Sequence, residues 1–202
     1  SSNDAIILVG EMVSQSFGVE KHRQFLHLDI SLGFVNKGLS PFSNLKKYKY
    51  MSARIVIFLL LNFGALAIGG FFTGKAVQAE WYLSLNKAPW TPPGWVFGFA
   101  WTTIMICFSL YMAHLWSNSE NKKLIIGLFI LQWILNVGWN PIFFYFHHVT
   151  AGLVVISFLT ILIGYLLYSY WPVLKMKSAL LLPYFIWLLI ATSLNGYIFF
   201  KN

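Results

Sequence analysis

The sequence predicts an all-α integral membrane protein, a bundle of five transmembrane helices. Of its 202 residues, 58% are hydrophobic and only 10% are charged, against about 25% charged in an ordinary soluble domain. Five apolar runs follow one another from residue 55 onward. Each is near the ~20 residues that cross a ~30 Å hydrocarbon core. Five such runs with few or no formal charges leave too little polar surface for a water-soluble fold.

Residues 1–50 differ from the rest. They hold no tryptophan and four of the six acids, Asp4, Glu11, Glu20 and Asp29. Their longest apolar run, Ala5 to Val9, is short of the roughly 7–15 residue core of a signal peptide. Two readings stand: a poorly ordered cytoplasmic extension, which is favoured, or a mis-called upstream segment or targeting leader before a true start at Met51. The membrane domain is expected over 51–202.

The first span is Ile55–Phe72, with Asn62 as its strongly polar residue. Gly69 and Gly70 near its end read as points of close helix approach, since no phosphate-binding glycine spacing accompanies them. Thr73–Pro92 is the one long connection, and extended surface loops tend to carry function. The stretch Trp81–Trp101 holds four of the nine tryptophans and three of the seven prolines. Prolines push the residues before them toward extended backbone, so Ala88 to Thr91 are expected to be non-helical. Pro92 and Pro93 suit a helix start, where the missing N–H would lack a partner anyway.

The later spans are Pro93–Trp116, Leu124–Phe146, Val149–Trp171 and Ala179–Phe200, joined by Ser117–Lys123, His147–His148 and Pro172–Ser178. Pro141 and Pro183 fall within apolar runs, where they would kink the chain or free backbone carbonyls. On one side of the membrane lie Lys46, Lys47, Lys49, Arg54, Lys122, Lys123, Lys175 and Lys177; on the other lie Lys75, Lys87 and Lys201. This asymmetry puts the amino end in the cytoplasm and the Trp81–Pro93 loop outside.

Several classes of chemistry fall away. The +8 net charge belongs to lysines scattered between apolar runs, so the pattern suits loop anchors, not nucleic acid. Cys107 is the sole cysteine and reads as small apolar filler. No Cys/His metal spacing is present, and no acid, base or metal constellation supports a thermal mechanism.

Four segments carry a resemblance: Gly69–Gly74 (GGFFTG), Trp81–Trp101 (WYLSLNKAPWTPPGWVFGFAW), Leu135–Phe144 (LNVGWNPIFF) and Pro183–Asn195 (PYFIWLLIATSLN). In this order they resemble the TspO/MBR family of tryptophan-rich sensory and translocator proteins, over about residues 51–202. The resemblance implies a five-helix bundle with a central pocket open toward the first loop. It implies binding of tetrapyrroles such as protoporphyrin IX or haem, as ligands rather than required cofactors, and for some members cholesterol or light-driven porphyrin degradation. By resemblance, Trp101 and Trp187 are the indoles facing the ligand, and the catalytic pair if the protein is an enzyme. Asn136, Trp139 and Ala191 match pocket positions, and Tyr82 a loop residue that lids the pocket. Lys87-Ala88-Pro89-Trp90 and Met105 depart from the family pattern. A homodimer is expected, and a bacterial inner membrane over a mitochondrial outer one.

The residues themselves allow plainer readings. Trp90, Trp95, Trp116 and Trp171 read as interfacial anchors. For Trp101 and Trp187, stacking of a flat macrocycle on indole faces is favoured. Asn136, Asn140 and Asn195 read first as helix–helix hydrogen-bonding groups. Asn136 has the best functional claim, because it shares a helix face with Trp139. His147 and His148 read as a solvated pair at a span edge rather than as metal ligands. Leu194, Tyr197 and Lys201 fit a proposed sterol pattern, which is weak and common. A tetrapyrrole-binding sensory protein is favoured over a light-dependent porphyrin-degrading enzyme. A transporter ranks last, since its spans would be expected to carry charges or paired broken helices.

Overall fold

The computed structural model describes residues 41–202, with side chains from residue 48 onward. Of the extension expected over residues 1–50, residues 1–40 lie outside that range and residues 41–50 are helical. The chain divides into two units, Ser1–Lys49 and Tyr50–Asn202; apart from the first turns of the leading helix, everything below belongs to the second.

The described residues are helical, with no strand among them. The order is α1 (Pro41–Ala76), α2 (Glu80–Ser84), α3 (Gly94–Asn118), α4 (Lys122–Asn140), a π-helical turn (Pro141–Tyr145), α5 (Val149–Leu174), a 3-10 segment (Lys175–Leu181) and α6 (Leu182–Lys201). Four stretches among the described residues are long and apolar enough to cross a membrane: Tyr48–Ala76, Gly94–Asn118, Lys122–Tyr145 and Val149–Lys201. The last has 53 residues, about 80 Å of helix at ~1.5 Å per residue. That is more than twice a ~30 Å core, and the run is folded back on itself. Lys175 reverses the chain with φ 51°. Thr160 Oγ1 and Thr192 Oγ1 then meet at 3.0 Å, and the Phe185 ring covers Gly164. α5 and α6 are therefore antiparallel neighbours.

Helix α1 runs further than the Ile55–Phe72 expected from hydropathy, because a helix does not stop where the apolar run stops. Asn62 Nδ2 donates to Ser109 Oγ at 2.8 Å, both groups being buried, and so docks α1 on α3. Gly69 lies against α4: a Cβ there would meet Asn140 Nδ2 at 2.8 Å. Thr73 Oγ1 donates to Asn140 Oδ1 at 2.8 Å. Gly70 makes no such approach, with nothing within 4 Å of an added Cβ; it is exposed on the other face of the helix.

The prolines act as local geometry dictates. Ala88 to Thr91 form a non-helical turn closed by Thr91 N–H and Thr91 Oγ1 donating to the Ala88 carbonyl, and α3 begins directly after Pro93. Pro141 has no N–H to extend the α ladder, and the chain switches to π-helical bonds, with Phe146 N–H donating to the Pro141 carbonyl at 2.9 Å. Pro183 makes no interior kink. It sits in the first turn of α6, where proline costs no hydrogen bond.

One main core of apolar side chains draws on α3, α4, α5 and α6, with Phe108, Tyr111, Ile163 and Leu188 fully buried in it. A smaller cluster, with Phe143, Phe144 and Ile198 at its centre, sits under the loop. Trp139 packs against both.

Candidate ligand-binding site

Helices α3 and α6 cross antiparallel, and their aromatic side chains alternate. Phe97 meets Trp187 edge to face, ring centroids 5.2 Å apart. One turn deeper, Trp101 meets Tyr184 in the same way at 6.1 Å. The two indoles expected to face a ligand thus belong to one aromatic seam, with Trp187 buried and Trp101 half-buried. Met105 follows one turn after Trp101 and is fully buried in the same core.

Ala191, one turn beyond Trp187, is buried in the same core, and Asn136 is buried on α4. Trp139 stacks on Phe143 with centroids 5.5 Å apart. The polar atoms here are short of partners. Trp139 Nε1, Trp187 Nε1, Asn195 Oδ1 and Gln132 Oε1 are buried with no hydrogen-bond partner among the described residues. A buried polar group without a partner costs on the order of 1–3 kcal/mol, so this wall suits a guest that brings complementary polar atoms. Gln132 Nε2 reaches the Tyr184 hydroxyl at 2.7 Å, which fixes the Tyr184 ring at the foot of the seam.

The loop side packs onto the bundle. Helix α2 sets Trp81 and Tyr82 on the π-turn: Trp81 edges Phe143 at 5.7 Å and Tyr82 tilts onto Phe144 at 5.5 Å. Burial there pushes the Tyr82 hydroxyl pKa above its usual value, so that hydroxyl stays neutral. Farther along, the loop is tied to α6. Trp90 Nε1 donates to Ser193 Oγ at 3.2 Å and its ring edges Tyr197 at 5.4 Å. Asn86 N–H donates to Asn202 Oδ1 at 2.8 Å and Asn86 Nδ2 to the Lys201 carbonyl at 3.1 Å. Trp90, expected as a membrane anchor, is therefore also a latch. Limited digestion with trypsin tests it: Asn86→Ala with Trp90→Phe should speed cleavage after Lys87 several-fold, since each lost bond removes ~1 kcal/mol of closure. An unchanged rate would show the latch to be idle.

Leu194 is buried and Tyr197 faces Trp90, so the proposed sterol stripe looks into the bundle and the latch, with Lys201 exposed at its end. Asn140 bonds between helices, as the plain reading held. His147 stacks on Trp81 at 4.0 Å and His148 precedes α5. Among the described residues no group of three or more His, Cys, Asp or Glu could hold a metal ion. Trp95 and Trp171 are exposed at the surface, as anchors would be. A hollow of about 990 Å³ lies beside the loop, lined by residues including Trp81, His147, Val155 and Phe199. One of about 330 Å³ lies among α1, α3 and α4. Trp101, Asn136, Trp187 and Ala191 line neither of these.

Phe97 and Tyr184, the partners that hold the two indoles, are not among the residues expected from the sequence. The signal was present in their spacing, four residues before Trp101 and three before Trp187, which places each pair on one helix face.

The family model described as the TspO/MBR family matches residues 56–200. "Tryptophan-rich protein TspO" of Archaeoglobus fulgidus is 36% identical over 152 residues, covering 74% of this chain and 95% of that protein. "Protein CrtK" of Rhodobacter capsulatus is 33% identical over 132 residues, covering 64% and 80%. The human "Translocator protein" is 30% identical over 138 residues, covering 65% and 82%.

Proposed function

Because the chain belongs to the TspO/MBR family, we propose that it is a membrane receptor or sensory protein binding a tetrapyrrole, such as protoporphyrin IX or haem, between its helices. The observation that carries this reading is the aromatic seam of Trp101 and Trp187, beside buried polar atoms without partners. A planar macrocycle gains from lying against indole faces, and its polar edge can meet the Trp187 and Trp139 N–H groups. Phe97 and the loop move aside to admit it, since Phe97 holds its ring against Trp187.

The chain crosses the membrane five times in this reading, with the Val149–Lys201 run making two of the crossings. The amino end and the Lys122 end face the cytoplasm, and the membrane is a bacterial inner one. A cysteine at Ser84, which is exposed, should react with an impermeant thiol reagent in intact cells. Reaction only after lysis would reverse the topology.

Titration of the purified protein with protoporphyrin IX should quench its intrinsic tryptophan fluorescence to saturation at one site. Quenching that never saturates would overturn the reading. The same mixture under light separates a second reading, porphyrin degradation. The two indoles flank the site, so electron transfer from indole to the excited pigment is feasible, and the pigment supplies that chemistry. A new absorbance band beyond a protein-free control would make the protein an enzyme; none would leave it a receptor.

A further inference from the structure

The smaller hollow lies away from the tetrapyrrole site, toward the opposite end of the bundle. It measures about 330 Å³, and every residue lining it is apolar, among them Phe58, Trp116, Ile126, Ile130 and Trp133. Ile126 and Ile130 are about half exposed, so the crevice opens sideways between α1 and α4. Trp133 Nε1 donates to the Leu61 carbonyl at 3.1 Å and ties the two helices at its deep end. From Lys122 to Trp133 the helix rises about 16 Å at ~1.5 Å per residue, so the crevice occupies one leaflet of a ~30 Å core. An apolar slot open to a bilayer fills with acyl chain, because an empty one forfeits contacts on its lining.

The charge at its mouth identifies which lipid. Arg54 stands one turn before Phe58 and donates from Nη1 to Ser117 Oγ at 2.8 Å, using one of its five N–H donors. Lys122 lies over the Trp116 ring and donates to the Trp116 and Ser119 carbonyls. Lys123 is exposed beside it, against one carboxylate, Glu120, in the same turn. We propose that this crevice binds one acyl chain of an anionic phospholipid, with the headgroup phosphate on Arg54 and Lys123. Arg54 offers a planar fork for phosphate oxygens, and Trp116 stacks beside the chain at headgroup depth.

The test places the protein in bilayer discs with trace phosphatidylglycerol or phosphatidylcholine carrying a photoreactive group midway along one acyl chain. Label is mapped by mass spectrometry. Peptides containing Ile126 and Ile130 should take up about fivefold more of the anionic probe. Ile126→Trp fills the slot and should lower that labelling about fivefold at unchanged helix content. Arg54→Gln with Lys123→Gln, which leaves the slot intact, should bring the two probes level. Equal labelling by both probes in the unaltered protein would overturn the proposal, as would labelling of the Ile126 and Ile130 peptides that Ile126→Trp leaves unchanged.

Discussion

Replacing Trp101 and Trp187 together by phenylalanine should weaken protoporphyrin IX binding about thirtyfold while leaving the helices folded. The two indoles lie on facing helices and share one seam through Phe97 and Tyr184. Phenylalanine keeps a ring at each position but gives up part of each stacking face and the Trp187 Nε1–H, which is buried without a partner. An aromatic pair adds roughly 0.5–1.5 kcal/mol beyond its burial, of which each phenylalanine gives up a part; with ~1 kcal/mol for the lost Trp187 N–H hydrogen bond, the loss comes to about 2 kcal/mol. Each ~1.4 kcal/mol is a factor of ten in the dissociation constant. The measurement is a quenching titration of the double variant against the unaltered protein, with circular dichroism to confirm the fold. An unchanged dissociation constant would remove both residues from the site.

The second large effect is on stability. Gly152→Val should lower the free energy of unfolding by about 2–3 kcal/mol. A Cβ at Gly152 would lie 3.0 Å from Phe143 Cδ2 and 3.3 Å from Phe143 Cβ. The Phe143 ring has no room to yield, since Trp139 stacks on it, Trp81 and Phe144 edge it, and it is almost fully buried. Overpacking a filled core costs typically 1–3 kcal/mol, and the larger branched side chain puts this variant at the upper end. Gly127→Ala is the control: nothing lies within 4 Å of its added Cβ, and alanine favours helix over glycine by ~1 kcal/mol. Thermal unfolding in detergent, followed by circular dichroism, should separate the two variants in opposite directions. Coincident melting curves would show that α5 does not depend on the close fit beneath the loop.

These two predictions rest on features of different legibility in the sequence. Pro92 and Pro93 announced the start of α3, and hydropathy announced the long apolar helices. The pairing of Asn136 with Trp139 on one helix face followed from a spacing of three. What hydropathy could not supply was where a helix stops. Helix α1 runs past Phe72 to Ala76, and α5 runs through Pro172 to Leu174, because backbone bonding continues beyond the apolar stretch. The reversal at Lys175 requires a positive φ in a residue that rarely adopts one, and no glycine marked it. The switch to π-helical bonding after Pro141 needed the Pro141 carbonyl to accept from Phe146 N–H, five residues on, which the sequence alone does not specify. Gly69 and Gly70 looked alike, yet one faces Asn140 and the other faces outward. The latch of Trp90 on Ser193 spans 103 positions, and no local pattern reports a contact of that range.

The aromatic seam also limits how the site can work. Tyr184 is fully buried and fixed by Gln132, whereas Phe97 lies near the start of α3, just behind the loop. Opening is therefore expected from the Phe97 end, with the Asn86 and Trp90 contacts to α6 as the catch. The foot of the seam at Tyr184 stays shut.

The most direct test of the central claim is to illuminate the protein–protoporphyrin IX complex briefly in air and map oxidised tryptophans by mass spectrometry. Oxidation centred on Trp101 and Trp187, with Trp171 and Trp116 spared, is the predicted result. Oxidation spread evenly over the tryptophans, or centred on Trp171 and Trp116, would place the pigment elsewhere and contradict a site between α3 and α6.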